Sequence, residues 1–246
     1  MTWLSTKEDQ FTYFAEEVGK SDWRGKSVLD FGGNIGNMLR DPNSTIEPER
    51  YWCLDVDRES LEVGRSRWPD AHWVHYDRHC FFFNPTGVPG LPVPDLGRDF
   101  DYIVAYSVFP NTTRKDMLEL VPQLERMLAG GGTLAFTFID GNYVSHQDEL
   151  EGDNFEWRMN REGHDLQSPA VRELLERARG AEWCTLVNGR DLYLESDDEI
   201  HGVPLEEQRT SHAFHTVAYM QKLFPDAEIK PPVNGEMQHC CVIRRT

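Results

Sequence analysis

The densest run of chemistry-bearing residues is VLDFGGNIGNML, residues 28–39. One acid, Asp30, precedes Gly32, Gly33 and Gly36, and Asn34 stands among the glycines. Glycine after a strand serves a turn that needs positive φ, or a close approach of ligand to backbone. Asn tolerates positive φ better than most residues. In doubly wound sheets, ligands sit at the carboxyl ends of the strands. A carboxylate ahead of such a turn repels a pyrophosphate but meets an ammonium through charge-assisted hydrogen bonds. A nicotinamide dinucleotide site would show GxGxxG, which is missing here. A plain strand-to-helix turn is the other way to read the same glycines.

More acids follow at what read as strand ends. YWCLDVDRESL (51–61) offers Asp55 and Asp57. A carboxylate at the end of a second strand suits ribose hydroxyls, and Asp57 suits a helix cap. HYDRHCF (75–81) offers Asp77 with Arg78 beside it, which also reads as a solvated loop pair. Histidines at 146, 164, 201, 212 and 215 are candidate bases. His146 comes first among them, because it follows a strand by a few residues, with Tyr143 as a neighbour able to orient a substrate. His212 and His215 are three apart, as on a helix face, but lack a third partner for a metal.

Residues 30–36 resemble motif I of class I S-adenosylmethionine-dependent methyltransferases, DxGxGxG, with Asn34 in place of the middle glycine. The resemblance implies that Asp30 lies near the methionine amino group and Gly32, Gly33, Asn34 and Gly36 under the cofactor. Asp55 with Val56 would face the ribose, and Asp77 with Arg78 the adenine. In FDYIVAYSVFPNTT (100–113), Asp101 opens a strand and the turn Tyr106–Ser107 borders the methyl-transfer pocket. LERMLAGGGTLAFTF resembles the family's helix, glycine turn and fifth strand, and HTVAYMQKLFPDAEIKPP with QHCCVIRR its closing helix and hairpin.

The elements that must position these residues alternate. Strands are predicted at 27–31, 51–55, 72–76, 102–105 and 133–139, with helices at 8–19, 58–68 and 114–128. Phe11, Phe14, Ala15 and Val18 mark the inward face of the first helix, and Leu61, Val63 and Trp68 that of the second. Gly130, Gly131 and Gly132 are expected to stop the third helix, which Pro122 kinks. Alternating strands and helices specify a parallel sheet with right-handed crossovers. The rhythm breaks over 140–212, a polar stretch with one clear helix within 170–180. A helix at 216–223 and strands at 228–230 and 238–243 close the chain. At least two of Phe81, Phe82 and Phe83 are expected in the core. Trp157, Trp183 and Tyr193 read as a substrate wall or as the insertion's own core, and ESDDE (195–199) as a solvated loop.

Composition sets the outer bounds. With 39% hydrophobic and 27% charged residues, a packed core is feasible. A net charge of −17 argues against a phosphate-tracking nucleic-acid enzyme and favours a neutral or cationic acceptor. Five cysteines without a CxxC pair point to reduced thiols and no zinc site. MTWLSTKEDQF lacks the pattern of a secretory signal. No stretch reaches about 18 apolar residues, so a cytoplasmic protein without membrane contact is expected.

The fold expected is a Rossmann-like, doubly wound, mostly parallel seven-stranded α/β sheet. Residues 1–139 and 213–246 form its cofactor-binding core, and 140–212 a substrate-binding lid inserted between strand five and the last helix. The expected activity is methyl transfer from S-adenosylmethionine to a small, secondary-metabolite acceptor, O-methylation first, by a monomer or homodimer. Peptide, N- or C-methylation, a non-catalytic S-adenosylmethionine-binding protein and an NAD(P)-dependent oxidoreductase are the alternatives.

Overall fold

The computed structural model describes residues 9–144, 152–161, 163–187, 210–233 and 237–246. The chain forms two compact units, one of Met1–Val108, Leu118–Phe136 and Val242–Thr246, the other of Phe109–Met117 and Thr137–Cys241.

In the first unit, β1 (Val28–Phe31), β2 (Tyr51–Asp55), β3 (His72–His75), β4 (Phe100–Ala105) and the start of β5 (Leu128–Ile139) pair in the order β3-β2-β1-β4-β5. Every one of these pairs is parallel. VLDF and YWCLD are buried along their whole length, as expected for central parallel strands covered on both faces. Chain order reverses between β1 and β4, so a ligand crevice opens at the carboxyl ends there. α1 (Gln10–Val18) buries Phe11, Phe14, Ala15 and Val18, the predicted stripe, and the short α2 (Asn37–Arg40) follows the turn after β1. Trp23, fully buried, stacks on Tyr102 at 4.0 Å.

Three local expectations change. In α3 (Arg58–Arg67) Leu61 is buried, but Val63 is 40% exposed and Trp68 half-buried. The inward face runs through Leu61, Gly64 and Trp68, and the ring of Trp73 lies so close to Gly64 that a side chain there would collide with it. The helix α4 (Arg114–Arg126) accommodates Pro122 and ends before the glycines. Gly130–Gly132 belong to β5, because Gly131 N–H donates to Arg245 O and Arg245 N–H to Gly132 O. Phe82 and Phe83 are 48% and 42% exposed, against the core expectation. The backbone bridge Cys80–Asn84 closes so tight a turn that these rings pack mainly on one another.

The second unit holds α5 (Asn154–Arg161), α6 (Pro169–Gly180), β6 (Trp183–Val187), β7 (Thr210–His215), α7 (Val217–Leu223) and β8 (Glu228–Lys230), with the start of β9 (Gln238–Arg244). β9 pairs with β5 and β8. With the five parallel strands, β8 and β9 complete the expected seven. The antiparallel hairpin β6–β7 is additional among the described residues and meets β5 at Ile139↔Phe214. Phe214 and Cys184 on one face of the hairpin join Ile139, Phe155, Met159, Val171 and Leu175 in a core. His212 and His215 therefore stand on a strand, not a helix, and three residues apart there means opposite faces. No described helix is long and apolar enough to cross a membrane.

Both nitrogens of the buried His215 lack hydrogen-bond partners. Burial, then the charge of Arg114, pushes its pKa down from 6.5 to about 3. Between those values the unfolded chain holds a proton that the folded chain refuses. Stability therefore falls as pH drops, by about 1.4 kcal/mol per pH unit at the steepest. Urea titrations of His215→Leu should show a flatter loss of stability below pH 6.5 than the parent; equal slopes would contradict this.

Candidate active site

The site in the first unit is built on the turn after β1. Gly32 has φ 76°, and its N–H donates to Leu54 O at 2.8 Å. A side chain at Gly32 would strike Val108. One at Gly33 would come within 2.6 Å of the Asp30 carboxyl and 2.9 Å of Cys53 Sγ. Asn34 has φ 54° and uses its own Oδ1 to accept Ile35 N–H at 2.8 Å, which offsets the strain. Behind Gly36 stand the rings of Trp68 and Trp73. Small residues are thus required by close packing beneath the loop as well as by backbone conformation.

Asp55, at the tip of β2, holds this loop. Its Oδ2 accepts Asn34 N–H at 2.7 Å and its Oδ1 accepts Asp57 N–H at 2.8 Å. Burial raises its pKa to about 6, against the pull of those N–H groups. Each oxygen keeps acceptor capacity for a further donor. Asp57 instead caps α3, accepting Glu59 N–H at 3.1 Å and the Ser60 hydroxyl at 2.6 Å. Asp30 is sealed beneath Gly33 at 1% exposure and accepts the Tyr51 hydroxyl at 2.6 Å. Burial lifts its pKa to about 7 despite that bond, and the charge of Asp55 adds to the rise.

The remaining expected positions separate. Asp77 is exposed and accepts from the Asn84 amide at 3.1 Å. Arg78, expected beside it at the adenine, is only 4% exposed. It donates to Leu91 O at 2.7 Å and pairs with Glu119 at 2.8 Å, so its guanidinium ties loop to helix. The Val56 carbonyl is hydrogen-bonded to His75 Nε2 at 3.2 Å. Tyr106 stands edge-on to Tyr13 at 5.6 Å, Ser107 has φ 57°, and Val108 then reaches Gly32.

Residues 29–134, which include Asp30 to Val108, match the family model of a methyltransferase domain. Over this stretch, which is less than half of the chain, the protein is similar to a methyltransferase domain. No curated protein sequence matches it. Among solved structures, the chain resembles the glycopeptide N-methyltransferase MtfA complexed with sinefungin. Identity is 13% and TM-score 0.53, over 99% of this chain and 95% of that one. A methyltransferase from Clostridium acetobutylicum gives 11% identity and TM-score 0.51, over 96% and 90%. The pyocyanin biosynthetic protein PhzM gives 15% identity and TM-score 0.46, and this chain spans about half of it, 54%. At such identities the likeness is one of fold.

The donor set around Asp55 fits S-adenosylmethionine, a ligand with which MtfA is also found complexed. The Asp55 carboxylate at the end of β2 suits a ligand that donates from hydroxyl groups, whereas Asp30, sealed beneath Gly33, is out of a ligand's reach and does not meet an ammonium as expected.

In the second unit Tyr143 is half-buried and stands edge-on to His239, with ring centroids 5.0 Å apart. His146 lies outside the described residues, as do His201, Tyr193 and ESDDE. His239 was not among the expected residues; it sits in the apparently plain closing strand QHCCVIR. Tyr51 was missed too, since nothing local in YWCLD signals that its hydroxyl meets Asp30.

Asp30 should weaken the ligand-free enzyme at neutral pH. The unfolded carboxyl loses its proton near 3.8 and the folded one near 7, so stability falls as pH rises between them. Asp30→Asn keeps an acceptor for Tyr51 and removes that charge. It should be about 1–4 kcal/mol more stable than the parent at about pH 8, the gain shrinking toward pH 4. Urea denaturation at both pH values measures this, and a constant difference would refute it.

Proposed function

We propose that the enzyme transfers a methyl group to a hydroxyl of a small-molecule, secondary-metabolite acceptor. The observation that carries the cofactor side is the Asp55 carboxylate, pinned by Asn34 and Asp57 N–H groups with acceptor capacity to spare. Asp55, with Val56, accepts the ribose hydroxyls. The backbone of Gly32–Gly36 lies along the amino-acid part, and Asp30 braces the loop from below through Gly33. Asp77 accepts from the adenine side, Arg78 anchors the loop that carries it, and Tyr106 and Ser107 border the transfer pocket. S-adenosylmethionine supplies a methyl group already activated on a sulfonium, so the protein's work is positioning and water exclusion.

Residues 140–212 act as the acceptor-binding lid in this reading, with Tyr143 orienting the acceptor and His146 as candidate base. The charge of −17 supports a neutral or cationic acceptor over nucleic acid. The enzyme works as a monomer or homodimer in the cytoplasm.

Calorimetry with S-adenosylhomocysteine tests the cofactor side. Asp55→Ala should weaken binding about 10- to 100-fold, as expected for loss of charge-assisted bonds. Unaltered affinity would remove Asp55 from the site. Incubation with S-adenosylmethionine and a panel of hydroxylated small molecules, amines and peptides tests the acceptor side. Release of S-adenosylhomocysteine with the hydroxylated set is expected, and release with peptides alone would redirect the assignment to a peptide enzyme.

A further inference from the structure

The residues after β3 fold back on themselves within the first unit. Tyr76 N–H donates to Asp55 O at 2.8 Å, so the chain leaves β3 beside the tip of β2. Asp77 follows, and its carbonyl accepts Val88 N–H at 2.7 Å. His79 N–H donates to Val88 O at 3.0 Å, and Cys80 and Asn84 exchange both backbone hydrogen bonds, at 3.0 and 2.8 Å. The result is a small hairpin over 77–88. Arg78 roots it by donating to Leu91 O and pairing with Glu119.

Asn84 ties this hairpin to Asp77 through its side chain. Its Nδ2 donates to Asp77 Oδ1 at 3.1 Å and to Arg78 O at 3.2 Å, which uses both amide hydrogens. Its carbonyl accepts Gly87 N–H at 3.1 Å. Gly87 leaves the room this needs, since a side chain there would collide with the Asn84 amide and with Arg78 O. Asp77 is exposed, and the neighbouring cation, Arg78, is turned away to Glu119. Oδ1 of Asp77 is thus held by an amide of its own hairpin, while Oδ2 accepts no hydrogen bond among the described residues.

We propose that Asn84 is a positioning residue for cofactor selection: by holding Asp77 Oδ1 it presents Oδ2 to the exocyclic amine of the adenine, and so makes the site choose a 6-aminopurine. A carboxylate fixed at one oxygen keeps the other in one direction, whereas an untethered one rotates into water. A fixed acceptor gains from an N–H donor and repels a carbonyl oxygen in the same place. The root of the hairpin beside Asp55 sets this acceptor next to the acid assigned to the ribose, in the order in which sugar and base follow each other in a nucleoside. This inference rests on the assignment of Asp77 to the adenine side made above.

The test is calorimetric titration with S-adenosylhomocysteine and with S-inosylhomocysteine, whose base carries a carbonyl oxygen in place of the amine. The parent should prefer the adenosyl compound at least about tenfold. Asn84→Ala and the isosteric Asn84→Asp should each reduce that preference about three- to tenfold. Asp77→Asn, whose amide can donate to the carbonyl, should cancel it. A residue that merely shapes the hairpin would weaken both ligands alike. The proposal is overturned if both Asn84 variants keep the parent's preference while Asp77→Asn loses it, and the assignment of Asp77 to the adenine then stands. If Asp77→Asn keeps the preference, or the parent has none, that assignment fails first and this inference with it.

Discussion

The carboxylate of Asp55 and the backbone N–H of Asn34 make the contact on which the site depends. It joins the tip of β2 to the turn after β1 and sets the loop backbone at a defined height above the sheet. Glycines and one left-handed asparagine let the turn take that shape. The acid beneath, Asp30, and the hydroxyl of Tyr51 fill the space under Gly33. Two acids this close and this buried both hold their protons more tightly than usual.

The second unit repeats the theme with different chemistry. Its strands β7 and β9 each carry a buried histidine with at least one unpartnered nitrogen. Apolar cores avoid such groups, because an unpaired polar atom away from water costs about 1–3 kcal/mol. His215 faces Trp183 across the hairpin register, near Arg114 and Tyr219. His239 lies between Phe138 and Tyr143. Each of these two imidazoles lowers the stability of its surroundings.

What the sequence determined by itself was the parallel core and its glycine turn. Runs such as VLDF and YWCLD alternate with amphipathic helices, and that pattern leaves few ways to cover both faces of a sheet. Asp57 as helix cap was legible from register, because an N-cap must directly precede the helix, whereas the bond from Asn34 N–H to Asp55 joins residues 21 apart and was not. Tertiary structure decided whatever depended on distant partners. Gly130–Gly132 became strand because Arg245 pairs with them, and SHAFH became strand because β6 lies alongside. Arg78 turned inward because Glu119 awaits it on α4, and His239 acquired its place only when β9 met β5. Local propensity is a property of neighbours in the chain, whereas burial, pairing and proton affinity are set by neighbours in space.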